Sequence, residues 1–214
     1  MKIYIIRHAQ SVGNKMGIDE SQKLDFGLSA EGISQAKKLA KRFKGKKIEV
    51  IYSSDLKRAY ETALRISKIT KLKIIKDHRL RELDSGDLNL KNVKNEFRKL
   101  YKKEQEKGIN EDDVRPKNRE SINDAKRRAK SFLDMIISKH NGNIIIVSHG
   151  AFIKLLISIL YGISMNEARK MSQLNTCLNE IEYNRRENKW KINKIGCVKH
   201  IKNLKEWKVS LVFC

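Results

Sequence analysis

Apolar runs of four to six residues alternate along the chain with stretches whose apolar positions recur at helical spacing. Lys2–Ile6 is the first run and predicts a strand. Ser29 is placed to N-cap a helix carrying Ile33, Ala36, Ala40 and Phe43 along one face, with Gly45 to close it. Glu49–Ser53 predicts a second strand. Leu56–Ile69 predicts a helix that buries Leu56, Ala59, Tyr60 and Ala63, and Lys73–Lys76 a short third strand. Later, Asn143–Ser148 restores the strand pattern, and Ala151–Leu160 follows as an apolar helix. Cys177–Tyr183 and Trp190–Ile195 read as a closing hairpin around the polar turn Asn184–Lys189. This alternation predicts an α/β fold: three layers, α/β/α, with a mostly parallel sheet and an antiparallel edge strand.

The pattern changes in the middle. From Gly86 to about Lys139 there is no strand signal, only charged amphipathic stretches. Val93, Phe97, Leu100 and Tyr101 mark one helical face, and Ile122, Ala125, Ala129, Phe132, Leu133 and Ile136 another. Between them Lys107–Arg119, with the only proline (Pro116), reads as a mobile loop. The expectation is one domain over 1–214, with a helical insertion at about 87–140 covering the active-site end of the sheet as a lid. The tail His200–Cys214 holds Trp207, Leu211, Val212 and Phe213, apolar enough to dock.

At 214 residues the chain is long enough for one cored domain. No apolar run approaches a membrane span, and the start has no signal-peptide architecture. Three cysteines (Cys177, Cys197, Cys214) make too sparse a set for a disulfide framework, which points to a cytoplasmic setting. The formal charge of +22 raises the question of nucleic acid. The lysines are scattered, however, and no aromatic-interleaved basic signature exists. Compositional drift explains the charge better, although a basic surface still attracts phosphorylated substrates. The partner expected is a small phosphorylated metabolite, with neither nucleic acid nor membrane; the hairpin edge and tail leave room for a homodimer.

In open α/β sheets ligands bind beyond the carboxyl ends of the strands. Two runs end there in histidine: Arg7-His8 and Ser148-His149-Gly150. Arg58 follows the second strand and Glu82 the third. Two imidazoles, two guanidiniums and a carboxylate at four strand ends suit a phosphate monoester, the imidazoles facing each other across one anion-sized gap. A neutral His8 can attack phosphorus and carry the phosphoryl group, and flanking cations favour that neutral form. Arg7 and Arg58 can fork onto phosphate oxygens. At about 4 Å and an effective dielectric near 20, each such pair is worth roughly 4 kcal/mol before desolvation. A protonated His149 would stabilise the transition-state oxygens, and Glu82 would protonate the leaving alkoxide and later activate water. No metal is needed for this, and no cofactor. Cys197 and His200 have a Cys-x-x-His spacing without a second pair, and His78 and His140 have no evident partners.

Over about Lys2–Glu182 the sequence resembles the histidine phosphatase superfamily, in its phosphoglycerate mutase-like branch. The resemblance rests on Arg7-His8-Ala9-Gln10-Ser11 with Asn14, on Leu28–Ala36, and on the long stretch Tyr52-Ser53-Ser54-Asp55-Leu56-Lys57-Arg58-Ala59-Tyr60-Glu61-Thr62-Ala63. Arg81-Glu82-Leu83 and Val147-Ser148-His149-Gly150 complete it. It implies that His8 is the phosphorylated nucleophile and Glu82 the proton donor. Arg7, Arg58 and His149 would form the phosphate pocket, with Asn14 and Gly150 lining it.

Departures fall on the substrate side. Ala9 stands where the family usually has glycine. Asp87-Leu88-Asn89-Leu90 replaces an aromatic and Glu-Gly, and Pro116-Lys117-Asn118-Arg119-Glu120-Ser121 only loosely matches Pro-Gly-Gly-Glu-Ser. Ser85 stands where phosphoserine-specific relatives carry histidine. The leading expectation is a metal-independent phosphatase of small phosphomonoesters. Two alternatives stand beside it: a phosphoglycerate mutase-type transfer, and a non-catalytic basic module for phosphate or nucleic acid.

Overall fold

In the computed structural model, which describes residues 1–84, 86, 93–115, 117 and 119–201, the apolar runs pair into a six-stranded sheet. Its strands are β1 (Lys2–Arg7), β2 (Val50–Ser53), β3 (Ile74–Lys76), β4 (Ile144–Ser148), β5 (Leu178–Asn184) and β6 (Lys189–Cys197), in the order β3-β2-β4-β1-β5-β6. The first four strands in that order run parallel. The expected hairpin β5–β6 closes the sheet, with β5 antiparallel to β1 and β6 antiparallel to β5 at the edge.

Both faces of the sheet are covered, which is why the centres of β1 and β4, Ile3–Ile6 and Ile144–Val147, run apolar and buried rather than alternating. Successive side chains still point to opposite faces. Ile3, Ile5, Ile144 and Ile146 pack with Phe132 and Ile136 of α5 (Ile122–Lys139) and with Phe152 and Leu156 of α6 (Gly150–Tyr161). Tyr4, Ile6, Ile145 and Val147 pack with Leu39 of α2 (Ala30–Ala40) and with Ala59, Ala63 and Ile66 of α3 (Lys57–Thr70). The three-layer α/β/α arrangement follows.

Local signals act as read. Ser29 Oγ accepts the Gly32 N–H at 3.0 Å, capping α2. Gly32 is needed there, because a Cβ would lie 1.9 Å from the Gln10 carbonyl oxygen. The helix thus presses directly on the loop leaving β1. Tyr60 departs from expectation: it is half-buried, with the Lys76 ammonium 3.9 Å from its ring centre. The inward face of α3 is Arg58, Ala59, Thr62, Ala63 and Ile66, the i, i+4 set, and Tyr60 is turned off it. Two helices carry no periodic signal because they are too short for one: α1 (Val12–Lys15) and α7 (Met165–Arg169), each opened by a serine capping box.

In the middle region α4 (Val93–Gln105) precedes α5. The intervening stretch, described except for 116 and 118, is anchored by pairs of Glu111 with Arg169, Asp112 with Lys126, Arg115 with Asp124 and Glu120 with Arg128. Val114 is buried. That is a tethered connection rather than the loose loop the polar composition suggested. Asp87-Leu88-Asn89-Leu90, Ser85 and the tail beyond Ile201, with Cys214, lie outside the described residues. Among the described residues no helix is long and apolar enough to cross a membrane.

Candidate active site

Strands β1 and β4 are adjacent, parallel and in register, with Arg7 opposite Ser148. The next residue of each therefore emerges at the same carboxyl edge. The His8 N–H donates to the Ser148 carbonyl at 2.9 Å, and the rings of His8 and His149 lie 5.1 Å apart, centre to centre, tilted by 58°. At that separation the rings touch. The anion-sized gap between them expected from the sequence is absent, and an anion has to sit against their edges. His8 lies on the wall of a cleft; His149 is fully buried behind it.

Hydrogen bonding assigns the protons. His8 Nδ1 is 2.7 Å from the Ala9 carbonyl oxygen, which can only accept, so Nδ1 carries the hydrogen and Nε2 keeps its lone pair. Burial, with Arg7 and Arg58 adding to it, holds the His8 pKa well below the usual imidazole range. His149 is likewise held neutral, by burial first and then by Arg58, His8 and Arg7. That direction weighs against the protonated His149 considered from the sequence. Its Nε2 lies 2.8 Å from Ser54 Oγ, which itself accepts the Leu56 N–H at 3.3 Å. When the serine donates to Nε2, the His149 proton rests on Nδ1, which has no hydrogen-bond partner among the described residues.

Both arginines converge on the same cleft. Arg7 Nη1 donates to the Gln173 carbonyl at 2.6 Å, while its Nε is buried without an acceptor among the described residues. Gly150 makes room for it, since a Cβ there would stand 3.3 Å from Arg7 Nε. Arg58 is buried and donates to the carbonyls of Ser21 (2.7 Å) and Leu24 (3.2 Å), with Glu20 Oε1 at 3.8 Å. Unpartnered buried nitrogens on Arg7 and His149 are uncommon in native proteins and mark where an anion's oxygens fit.

Glu82 lines the cleft too, seated on the first turn of α6. Its Oε2 accepts from Ala151 N–H (3.1 Å), and its Oε1 from Phe152 N–H (2.8 Å) and Leu83 N–H (2.9 Å). Asn14 lines the cleft and accepts a hydrogen bond from Asn175 Nδ2 at 3.0 Å. The structure thus brings together Arg7, His8, Asn14, Arg58, Glu82 and Gly150 around one cleft of about 550 Å³, with His149 directly beneath. Ala9 lies away from it, packed with Leu28 and Ala36, so the missing glycine leaves the cleft unchanged.

Several residues escaped the sequence reading. Glu20 is buried, hydrogen-bonded to Ser11 Oγ, and its carboxyl pKa is raised by burial. Gly13 is tight against it, a Cβ there meeting Glu20 Cγ at 2.4 Å. Asp19, Gln173 and Asn175 also line the cleft. None belongs to a motif or a periodic stretch. His140, read as partnerless, in fact bridges Glu49 Oε1 (2.5 Å) and Tyr52 OH (2.8 Å). Cys197 and His200 both contact Arg42 Nη1, each at 3.3 Å. Among the described residues no group of three or more His, Cys, Asp or Glu is disposed to hold a metal ion.

The buried imidazoles have a consequence for stability. Below the unfolded histidine pKa of about 6.5 the unfolded chain takes up protons that His8 and His149 in the folded chain refuse. Stability is therefore expected to fall as pH drops below about 6.5, by up to roughly 1.4 kcal/mol per pH unit for each ring. The raised Glu20 carboxyl acts in the opposite sense nearer its own range. Urea midpoints of wild type and His149→Gln at pH 7.0, 6.0 and 5.0 check this, with a shallower dependence expected in the variant.

Comparisons with known proteins identify the family and the fold. The family model of the histidine phosphatase superfamily (branch 1) matches residues 3–197. Phosphoserine phosphatase 1 of Hydrogenobacter thermophilus is 32% identical over 169 residues, covering 78% of this chain and 79% of the relative. A protein of Proteus mirabilis named "Probable phosphoglycerate mutase GpmB" is 27% identical over 209 residues, covering 95% and 96%. Among solved structures, the phosphoserine phosphatase of Entamoeba histolytica in complex with 3-phosphoglyceric acid superposes with a TM-score of 0.77 at 26% identity. That match covers 93% of this chain and 98% of the other.

Proposed function

The chain belongs to the histidine phosphatase superfamily, and on that premise we propose that it hydrolyses small phosphomonoesters through a covalent phosphohistidine on His8, without a metal. One observation carries the reading. A buried His8, its pKa lowered and its Nδ1 bonded to the Ala9 carbonyl so that Nε2 is left to attack, lines a cleft walled by Arg7 and Arg58.

In the first half-reaction Nε2 attacks phosphorus as the bond to the ester oxygen breaks. Arg7, Arg58 and Asn14 hold the phosphoryl oxygens, and the neutral Nδ1–H of His149 donates to one of them from below. Gly150 contributes by letting the Arg7 guanidinium lie close. Glu82 gives its proton to the departing alkoxide, then takes one from the water that attacks phosphohistidine and releases phosphate. The chain acts as one such domain in the cytoplasm, with α4 of the insertion beside the cleft.

Leaving groups test the role of Glu82. An alkyl phosphate needs its alkoxide protonated and a nitrophenyl phosphate does not. Glu82→Gln is therefore expected to slow alkyl phosphate hydrolysis by about 10²–10⁴-fold and nitrophenyl phosphate hydrolysis far less. Equal losses on both would remove Glu82 from proton transfer. The similarity to a protein named as a mutase keeps transfer to a second acceptor as the other reading. Phosphoglycerate isomerisation outpacing phosphate release in the same assay would favour it.

A further inference from the structure

Beyond Glu82, Leu83 and Ala151 the phosphate cleft opens into a second compartment of about 720 Å³, walled by Phe97, Tyr101, Arg119 and Arg169. The rings of Phe97 and Tyr101 are stacked at 5.4 Å, and the Arg119 guanidinium lies 3.8 Å over Phe97. Arg119 is 8% exposed, and its Nε and Nη1 are buried with no hydrogen-bond partner among the described residues.

Its neighbours are already engaged. Arg169 is paired with Glu111, Glu120 is taken by Arg128 at 2.7 Å, and Asp84 Oδ1 accepts the Gly86 N–H at 2.9 Å. Burial lowers the Arg119 pKa to about 10, so it remains a cation at neutral pH. Asp84, Glu120 and Asp19 act on it only through space, with no ion pair to Arg119 among the described residues, and buried guanidinium nitrogens without acceptors are costly unless an anion meets them. Arg119 also falls within the stretch that departs from Pro-Gly-Gly-Glu-Ser, so the family motif does not account for it.

We propose that Arg119 receives a second anionic group of the substrate, making the preferred substrate a small phosphomonoester that also carries a carboxylate or a second phosphate. The proposal rests on the phosphatase reading for the first anion. The aromatic pair supplies a rigid wall behind the guanidinium, and the shared Glu82–Leu83–Ala151 boundary sets the distance between the two charges.

Binding without turnover keeps the two ideas separable. Calorimetry would compare propylphosphonate with ω-phosphonocarboxylates of two to five carbons and with propane-1,3-bisphosphonate. Wild type is expected to bind the best doubly anionic ligand about 10- to 100-fold more tightly than propylphosphonate, as a charge-assisted hydrogen bond implies. Arg119→Gln is expected to bring that ratio within about threefold, and Arg119→Lys to keep part of it. Comparing carboxylates with the bisphosphonate identifies which anion is preferred. A wild-type ratio near one, which needs no variant to fold, overturns the proposal; so does a ratio unchanged in Arg119→Gln. Hydrolysis of nitrophenyl phosphate alongside a ratio of one rejects Arg119 alone. A large ratio in a protein that hydrolyses no phosphomonoester rejects the phosphatase reading alone.

Discussion

His8→Ala is expected to lower kcat for nitrophenyl phosphate by at least about 10⁴-fold, the largest effect of any single change, because the covalent path is lost altogether. Neighbouring groups cannot replace it. His149 is beneath the cleft rather than on its wall, with Nε2 committed to Ser54. Glu82 is tied to the first turn of α6. The two arginines hold phosphate but have no lone pair to offer. Wild type quenched during turnover should carry one acid-labile, alkali-stable phosphoryl group, absent from the variant. Comparable turnover by both proteins, or a trapped phosphoryl group elsewhere, would falsify the assignment of His8 as nucleophile.

Arg58→Gln is expected to act on two quantities at once. Activity should fall about 10²–10³-fold in kcat/KM, the scale found when one preorganised donor to a developing charge is lost. Stability should fall by about 3 kcal/mol, because the change leaves the buried Glu20 without its cation. It also cuts the bonds to Ser21 and Leu24 that hold the loop after α1. Adding Glu20→Gln separates the two effects: removing the stranded carboxylate should restore much of the stability and none of the activity. Urea midpoints and kcat/KM of the four proteins in this cycle measure both. Full kcat/KM in Arg58→Gln would take Arg58 out of the phosphate site.

Glu20 also shows where sequence reasoning stops. It lies in Asp19-Glu20-Ser21, a loop without periodicity, and its partner Arg58 is on another element. Arg58 itself was legible, because α3 follows β2 through a short connection and its first turn is bound to face the strand ends. His8 and His149 were legible for the same reason: an apolar strand ends and the next residue has nowhere else to go. Tyr60 was misread because apolar character was taken for burial, while the helix turned it off the inward face. The tether of 107–119 was hidden because its ion pairs reach α5 and α7.

The amino-acid sequence determined by itself the strands and the longer helices, and which imidazoles, guanidiniums and carboxylate stand at the strand ends. Those features follow from side-chain spacing over a few residues and from the short connections of an α/β chain. Only the tertiary structure decided the states of those groups. It lowered the pKa of both histidines by burial, seated Glu82 on α6, placed Glu20 against Arg58 and left two Arg119 nitrogens without a hydrogen-bond partner among the described residues. Charge and hydrogen bonding depend on what is buried beside a group, and here those neighbours come from positions far apart in the chain.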